Sequence, residues 1–182
     1  MSSFTYLTYL LFESDTIEED VRKRCQTQLK KGKAERLNNW SLALYRDQMS
    51  RDYGDRVEVK RVSPLVGEGV FTLQSIPALA YIGEYTGIVR KKVRKKDLFN
   101  NYIFRYQIGP KEAPYIIDAE NRGNFTRFLN HSDTPNLTSR WIIYDGVTHI
   151  IFYSNRLIHQ GEQLTYDYGP LYWRSRSQPV SL

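Results

Sequence analysis

Two stretches decide how this chain is read. They are Arg127-Phe128-Leu129-Asn130-His131-Ser132-Asp133-Thr134-Pro135-Asn136 and Gly161-Glu162-Gln163-Leu164-Thr165-Tyr166-Asp167-Tyr168-Gly169. The first closes a polar segment that begins at Asp118. An Asn side chain offers both donor and acceptor groups, so such a segment can hold an amino-acid-like ligand. Asn, Asp, Ser and Pro are also turn formers, and a hydrogen-bonded surface loop has the same composition. In the second stretch Tyr166 and Tyr168 stand at i and i+2, which on a strand places both phenols on one face. Paired phenols can bound a channel for a cation or pack on a sheet as core.

Two glycine-bearing segments lie upstream. In Val66-Gly67-Glu68-Gly69 the missing Cβ atoms let a backbone approach a ligand closely. No Gly-Lys-Ser/Thr follows, so this is not a phosphate loop. Gly83-Glu84-Tyr85-Thr86-Gly87 is a strand segment with a tyrosine between glycines, and says little by itself.

Outward from these segments the texture is that of strands. Val57–Val62 alternates. Gly69–Leu73, Tyr81–Val89, Tyr102–Ile108 and Tyr115–Asp118 are short runs rich in β-branched and aromatic residues. Trp141–Tyr153 carries Asp145-Gly146 between two apolar halves, a hairpin signal because a type I′ turn needs positive φ at both central residues. No helical pattern separates most of these strands, which argues against a parallel α/β sheet. Residues 16–52 read as two helices. Ile17, Val21, Cys25 and Leu29 define one apolar face, Lys31-Gly32-Lys33 a stop, and Leu37, Trp40, Ala43 and Leu44 the apolar face of a second helix. The expected organisation is a helical N-terminal segment over 1–55, a β-rich domain over 56–174 and a polar tail over 175–182.

Composition narrows the function classes. With 182 residues and 41% hydrophobic, the chain fits one folded domain with an appendage. Its longest apolar stretch, Phe4–Phe12, is too short for a membrane helix and has neither a basic flank nor a cleavage site, so neither a membrane span nor a Sec signal peptide is expected. Packing on the core or a homodimer contact would cover that stretch. One cysteine, Cys25, allows no intrachain disulfide and no cysteine-rich zinc site, and the three histidines form no metal motif. No metal is expected. The net charge is +6 and the pI about 9.3, with basic residues concentrated in Arg22–Arg36 and Arg90–Lys96. The second run is read as a solvated charged turn or, through Lys91–Lys96, a contact for nucleic acid. Aromatic residues make up 14%, fourteen of them tyrosine, and either line a site or fill a β-rich core.

Taken in order, the segments resemble the SET-domain family of protein-lysine methyltransferases. The likeness runs from about Val57 to Trp173. Arg127 to Asn136 resembles the family's R-F-x-N-H-S-x-x-P-N segment, and Gly161 to Gly169 its G-E-x-L-x-F/Y-D-Y-G segment. Gly67-Glu68-Gly69, Glu84-Tyr85-Thr86-Gly87, Tyr102-Ile103-Phe104 and Ile117-Asp118-Ala119 resemble G-x-G, E-Y-x-G, Y-x-F and I-D-A. The resemblance implies a mainly β, β-clip-like fold of small antiparallel sheets with a C-terminal pseudoknot, in which the Asn130-His131 segment threads beside the Tyr168 strand. It implies S-adenosylmethionine as cofactor. Val66, Gly67, Glu68 and Gly69 would contact it by backbone, Asn130 and His131 would hold its two ends, and Tyr102 would flank it. Tyr168 would be the catalytic tyrosine, assisted by Tyr166 and Tyr85. Tyr85, Phe104, Tyr166 and Tyr168 would line the lysine channel. A tyrosine at 166, where family members have Phe or Tyr, implies a bias towards mono- or dimethylation.

The chain departs from the pattern where many members carry zinc modules, since Asp133 stands where a cysteine ligand is often found. Trp173 is therefore expected either to cover the cofactor or channel or to be a core aromatic. A compact, zinc-free chain looks more like bacterial or viral members. That implies a histone or histone-like substrate and either a bacterial cytoplasm or delivery to a host nucleus. The alternative readings are a catalytically silent SET fold that binds chromatin or a partner, and a nucleic-acid-binding protein without catalysis.

Overall fold

The computed structural model describes residues 4–30, 32–49, 51–93, 97–109 and 111–173. The expected tail over 175–182 and residues 94–96 of the basic run lie outside the described residues. The architecture is mainly β. Strands β1 (Thr5–Tyr6) and β2 (Leu11–Phe12) precede helices α1 (Asp15–Leu29) and α2 (Gly32–Tyr45). The remaining strands are β3 (Val57–Ser63), β4 (Gly67–Thr72), β5 (Tyr81–Glu84), β6 (Ile88–Lys91), β7 (Ile103–Ile108), β8 (Lys111–Asp118), β9 (Arg122–Gly123), β10 (Asn130–His131), β11 (Leu137–Tyr144), β12 (Val147–Ser154) and β13 (Gln163–Tyr166). They form small sheets in the orders β10-β13-β4-β3, β11-β12-β5 and β2-β6-β8-β7, with β1 on β9. No helix among the described residues is long and apolar enough to cross a membrane.

The N-terminal segment is laced into the β-rich region. β1 runs parallel to β9 and β2 parallel to β6. Leu7 is buried, and Leu10 and Phe12 pack on the core. Ser14 caps α1 by accepting the Ile17 N–H, and Asp15 and Glu18 sit favourably in its first turn. Ile17, Val21 and Cys25 face inward as their spacing predicts and join the main core cluster. The Cys25 Sγ lies 3.4 Å from Thr148 Oγ1, and burial pushes the thiol up, so this cysteine acts as a small core residue.

The second helix departs from expectation. Leu37, Trp40, Ala43 and Leu44 face solvent, and Asn38, Ser41 and Tyr45 face inward. The reason lies in the edge strand α2 covers. β11 ends its sheet, so alternate backbone groups on its outer side lack strand partners. Asn38 meets that need twice: its amide donates to the Ile143 carbonyl (2.8 Å) and its carbonyl accepts the Ile143 N–H (2.6 Å). Leaving those buried main-chain groups unpaired would cost about 1–3 kcal/mol each. That outweighs what a half-exposed apolar stripe loses to water. Trp40, 49% exposed, still packs beneath the Arg140 guanidinium, 5.0 Å from the ring centroid.

Two further differences shape the site. The run Tyr81–Val89, read as one strand, is divided between sheets. β5 ends at Glu84 and β6 starts at Ile88, which leaves Tyr85 at the seam. A Cβ at Gly87 would fall 2.5 Å from the Asp118 carbonyl, so glycine permits the sheets to approach there. Arg90, read as part of a solvated basic run, is buried. Its Nε donates to Asp118 Oδ2 (2.8 Å) and its Nη2 to Asp97 Oδ1 (2.7 Å). Asp118 Oδ1 in turn accepts from Asn100 Nδ2, and Asn100 Oδ1 accepts the Tyr102 N–H. A charged residue here is the anchor that ties the 97–102 segment to β8. The Asp145-Gly146 turn has φ of 46° and 77°, as the hairpin signal requires.

Candidate active site

The glycine turn opens β4. Val66 N–H donates to Ser63 Oγ (3.0 Å), Gly67 has a φ of 83°, and Glu68 points to solvent. Gly69 is buried in a close approach of three elements. A Cβ there would fall 2.6 Å from Gln163 Nε2, 2.7 Å from Val62 and 2.9 Å from Asn130 Nδ2. Asn130 donates from Nδ2 to the Glu68 carbonyl (2.9 Å), joining the polar segment to the glycine turn. β10 lies parallel to β13, with Asn130 opposite Thr165 and His131 opposite Tyr166. Asn136 completes the crossing: it donates to the Gln163 carbonyl and accepts the Thr165 N–H. Two sequence segments separated by some thirty residues thus meet side by side.

His131 Nδ1 accepts the Tyr168 N–H (3.2 Å). The neutral ring then carries its proton on Nε2, 3.3 Å from Asp133. The His131 ring contacts Tyr168 at 5.4 Å and Trp173 at 4.9 Å between centroids. Trp173, in the short helix Pro170–Trp173, stacks with Tyr168 at 6.0 Å and 10°. The indole therefore contacts one residue of each deciding stretch, His131 and Tyr168.

Beside this polar cluster is a chain of rings. Tyr168 meets Tyr166 at 4.7 Å, and Tyr166 meets Phe104 at 5.9 Å in a stacked pair. Phe104 meets Tyr85 at 5.1 Å. Burial pushes the phenols of Tyr85, Tyr166 and Tyr168 upward, so all three are neutral hydroxyls at ordinary pH. The Tyr168 hydroxyl donates to the Leu129 carbonyl (2.7 Å), which fixes its direction and leaves its lone pairs free to accept. Glu84, the residue before Tyr85, is anchored on all sides. Its carbonyl accepts from Asn124 Nδ2 and Thr126 Oγ1, and its carboxylate meets His149 Nδ1 at 2.8 Å.

The structure thus brings together Gly69, Asn130, His131, Trp173 and the rings of Tyr85, Phe104, Tyr166 and Tyr168. Tyr102 lies against Arg127, whose guanidinium is 3.6 Å from its ring centroid and 4.8 Å from that of Phe4. Among the described residues no group of three or more His, Cys, Asp or Glu side chains is arranged to hold a metal ion.

The arrangement agrees with the sequence comparison. The chain matches the SET domain over residues 67–169, more than half its length. The chain belongs to the SET-domain family. It is 34% identical over 106 residues to the H3 lysine-9 specific histone-lysine N-methyltransferase SUVH5 of Arabidopsis thaliana, covering 56% of this chain and 13% of that protein. It is 38% identical over 114 residues to human histone-lysine N-methyltransferase 2B, covering 58% and 4%. Both relatives are far longer, and this SET-domain chain spans only a small part of either. Among solved structures, KRYPTONITE in complex with mCHH DNA, H3(1-15) peptide and SAH is similar with a TM-score of 0.53 and 35% identity, over 62% of this chain and 23% of that one.

Three participants escaped the sequence reading. Phe152, on β12, is fully buried and touches Tyr166 at 4.9 Å. It sits in Ile150-Ile151-Phe152-Tyr153, a continuous apolar run without alternation, so nothing local shows which face it serves. Arg127 was visible as part of the motif, but its stacking on Tyr102 was not. The Leu129 carbonyl is main chain, and sequence carries no signal for it.

Proposed function

We propose that this SET-domain protein is a S-adenosylmethionine-dependent protein-lysine N-methyltransferase. The observation that carries the reading is the ring chain of Tyr85, Phe104, Tyr166 and Tyr168 ending beside the Gly69–Asn130–His131 cluster. A cation-accepting channel and a polar, glycine-lined cradle meet at one phenol. Similarity to histone-lysine N-methyltransferases, and to a fold solved with SAH, supports the same conclusion.

The residues fit such a cofactor. Among the described residues, buried side-chain nitrogen or oxygen atoms without a partner include Arg127 Nε, beside Tyr102, and Gln163 Nε2, beside Gly69. Orphaned buried donors are costly and suit a polar ligand. The backbone at Val66–Gly69 would face it, Asn130 and His131 would hold its ends, and Tyr102 and Trp173 would flank it. When bound it supplies an electrophilic methyl group on a positive sulfonium.

The chain's own residues do the rest. A lysine ammonium has no lone pair and must lose its proton before it can attack. The narrow aromatic walls disfavour the charged amine by desolvation and lower its pKa, and a positive sulfonium nearby acts in the same direction. No strong general base stands among the channel rings, and none is needed. The Tyr168 oxygen, held by its bond to Leu129, can accept a hydrogen bond from the amine and orient its lone pair. Alignment of the three reacting atoms then accounts for most of the acceleration. The Tyr166 hydroxyl narrows the channel and favours mono- or dimethylation.

The substrate reading is a histone or histone-like basic protein. Exposed Lys91 and Lys92 suit a nucleic-acid contact beside such a substrate, whereas Arg90 is committed to its carboxylates. The test is transfer of label from S-adenosylmethionine to core histones and to a bacterial basic-protein fraction, with Tyr168→Phe alongside. The expected outcome is lysine-borne label that falls about a hundredfold or more in the variant, the scale of removing one oriented polar group. Cofactor binding by calorimetry should survive. A wild-type protein that binds no cofactor would sink the reading.

A further inference from the structure

Every ring of the channel has a described neighbour behind it, and for three of the four it is the same one. Phe152 lies 4.9 Å from Tyr166, 6.1 Å from Phe104 and 6.5 Å from Tyr85, edge-on to the last two. Its side chain has no exposure at all, whereas Phe104 and Tyr166 are half-buried. The channel rings form the walls, and Phe152 is the surface they rest on.

Local backbone explains how β12 delivers it. The pairing of β12 with β5 slips between Phe152 and Tyr153: Phe152 lies opposite Gly83, but Tyr153 lies opposite Tyr81. Strand β12 keeps its alternation through the slip, the extra residue being on β5, so Ile151 and Tyr153 face the separate cluster beneath α2 while Ile150 and Phe152 face the main core and the channel rings. Gly83 presents no side chain on its own strand, and a Cβ there would press on Phe125 and Thr126 at about 3 Å.

We infer that Phe152 is a positioning residue that sets how many methyl groups the channel accepts, by holding Tyr166 and Tyr85 forward. This rests on the methyltransferase reading above. Interiors are packed near crystal density, so a wall backed by a full-sized ring cannot retreat to admit a bulkier amine. Phe152→Leu removes roughly a methyl group's volume behind Tyr166 and Tyr85. The walls gain the room that one further methyl on the substrate nitrogen needs. The Tyr166 hydroxyl and the Phe152 ring then act on one dimension of the channel from its two sides.

The experiment compares wild type, Phe152→Leu, Phe152→Met and Ile142→Val on unmodified and monomethylated lysine peptides, with products resolved by mass spectrometry. Ile142→Val is a comparably conservative core change in the other cluster. Phe152→Leu should raise the rate on monomethyl-lysine relative to lysine about tenfold, the scale at which one carbon is discriminated in an apolar pocket. The KM for S-adenosylmethionine should not move, and Ile142→Val should leave the ratio unchanged. Phe152→Met, which removes a similar volume but can reach into the gap with a flexible side chain, should give a smaller rise and serves if the leucine variant folds poorly. An unchanged ratio in a folded Phe152 variant overturns the inference and leaves the methyltransferase reading standing. An equal shift in Ile142→Val also overturns it, by showing general loosening. A wild type that binds cofactor yet methylates no peptide or protein takes down both.

Discussion

The molecule holds two tyrosine-rich clusters, and they share two strands. On one side of β5 and β12, Tyr81 and Tyr153 meet Tyr45 and Tyr53 beneath α2, with centroids 5.5–6.5 Å apart. On the other, Tyr85 and Phe152 meet Phe104 and Tyr166. Composition and ring spacing barely distinguish them. Enclosure and hydroxyl direction do. The first cluster is sealed around Tyr45, which is 1% exposed and whose hydroxyl finds no partner, although Tyr53 and Tyr81 line a cavity of about 150 Å³; the Tyr153 hydroxyl meets Arg140 only at 3.4 Å. In the second, Tyr85 and Phe152 are buried but Phe104, Tyr166 and Tyr168 remain partly exposed, and the Tyr168 hydroxyl is aimed by the Leu129 carbonyl. A tyrosine cluster becomes a candidate site when its polar atoms are directed at a space a ligand can reach. Otherwise it is core that carries its hydroxyls as ballast.

The largest expected effect tests that contrast directly. Tyr168→Phe and Tyr153→Phe each delete one oxygen. The first should lower methyl transfer about a hundredfold with a stability loss near 1 kcal/mol, the worth of its bond to Leu129. The second should leave turnover within about twofold, because a 3.4 Å contact to Arg140 directs nothing at a substrate. Equal activity losses in the pair would dissolve the distinction between the clusters.

The Glu84–His149 pair clamps the strands that both clusters use. Burial pulls the His149 ring down, but the Glu84 carboxylate and the Tyr144 carbonyl more than offset this, so its pKa is raised. A histidine raised in the folded state contributes stability that is complete below its unfolded pKa, about 6.5, and disappears as pH climbs through the folded value. His149→Gln should therefore cost about 2 kcal/mol near pH 6, less than a fully buried pair because the ring is partly exposed. The gap between variant and wild type should narrow towards pH 9. Urea melts at the two pH values decide it. A gap that widens with pH would mean the pair stabilises by something other than charge.

How much of this was legible in the sequence follows from which forces act locally. The inward face of α1, the Asp145-Gly146 turn and most of the short strands follow from spacing and turn chemistry and are present as read, with Tyr81–Val89 divided in two. The face of α2 could not be read, because Asn38 is drawn inward by main-chain groups of an edge strand about a hundred residues away. Arg90 looked like surface charge because its partners, Asp97 and Asp118, are brought to it only by the sheet. The members of the candidate site were proposed from motif order, and their mutual distances could not be. Phe152 was hidden because both faces of β12 are buried, so its apolar run shows no alternation from which a face could be read.

A smaller effect comes from strain on the sealed side. Leu79 takes a φ of 62° in the turn leading into β5, with its N–H donating to the Ser154 carbonyl and its side chain largely exposed. A non-glycine residue held there costs roughly 1–2 kcal/mol, and glycine's larger unfolded-state entropy takes back part of any gain. Leu79→Gly should raise stability by about 1 kcal/mol and leave methyl transfer alone, read by thermal melts alongside the labelled assay. A loss of stability would show that the exposed leucine makes a contact worth more than its strain.

The smallest change is the sharpest test of what the sealed cluster is for. Tyr45 packs its ring on Tyr153 at 5.5 Å and buries a hydroxyl that bonds to nothing described. Burial pushes that phenol up, the mark of a polar group held where water cannot reach it. Tyr45→Phe keeps the ring and removes the orphan. It should be neutral or stabilising by about 0.5 kcal/mol, since the deletion forfeits no hydrogen bond and lifts a desolvation penalty. The same deletion at Tyr168 forfeits an oriented bond. Opposite signs from one chemical change, made on the two sides of the same strands, would separate hydroxyls that serve a reaction from hydroxyls that merely came with a ring. A destabilised Tyr45→Phe would mean that its hydroxyl has a partner in solution, and that the sealed cluster is organised around polar atoms after all.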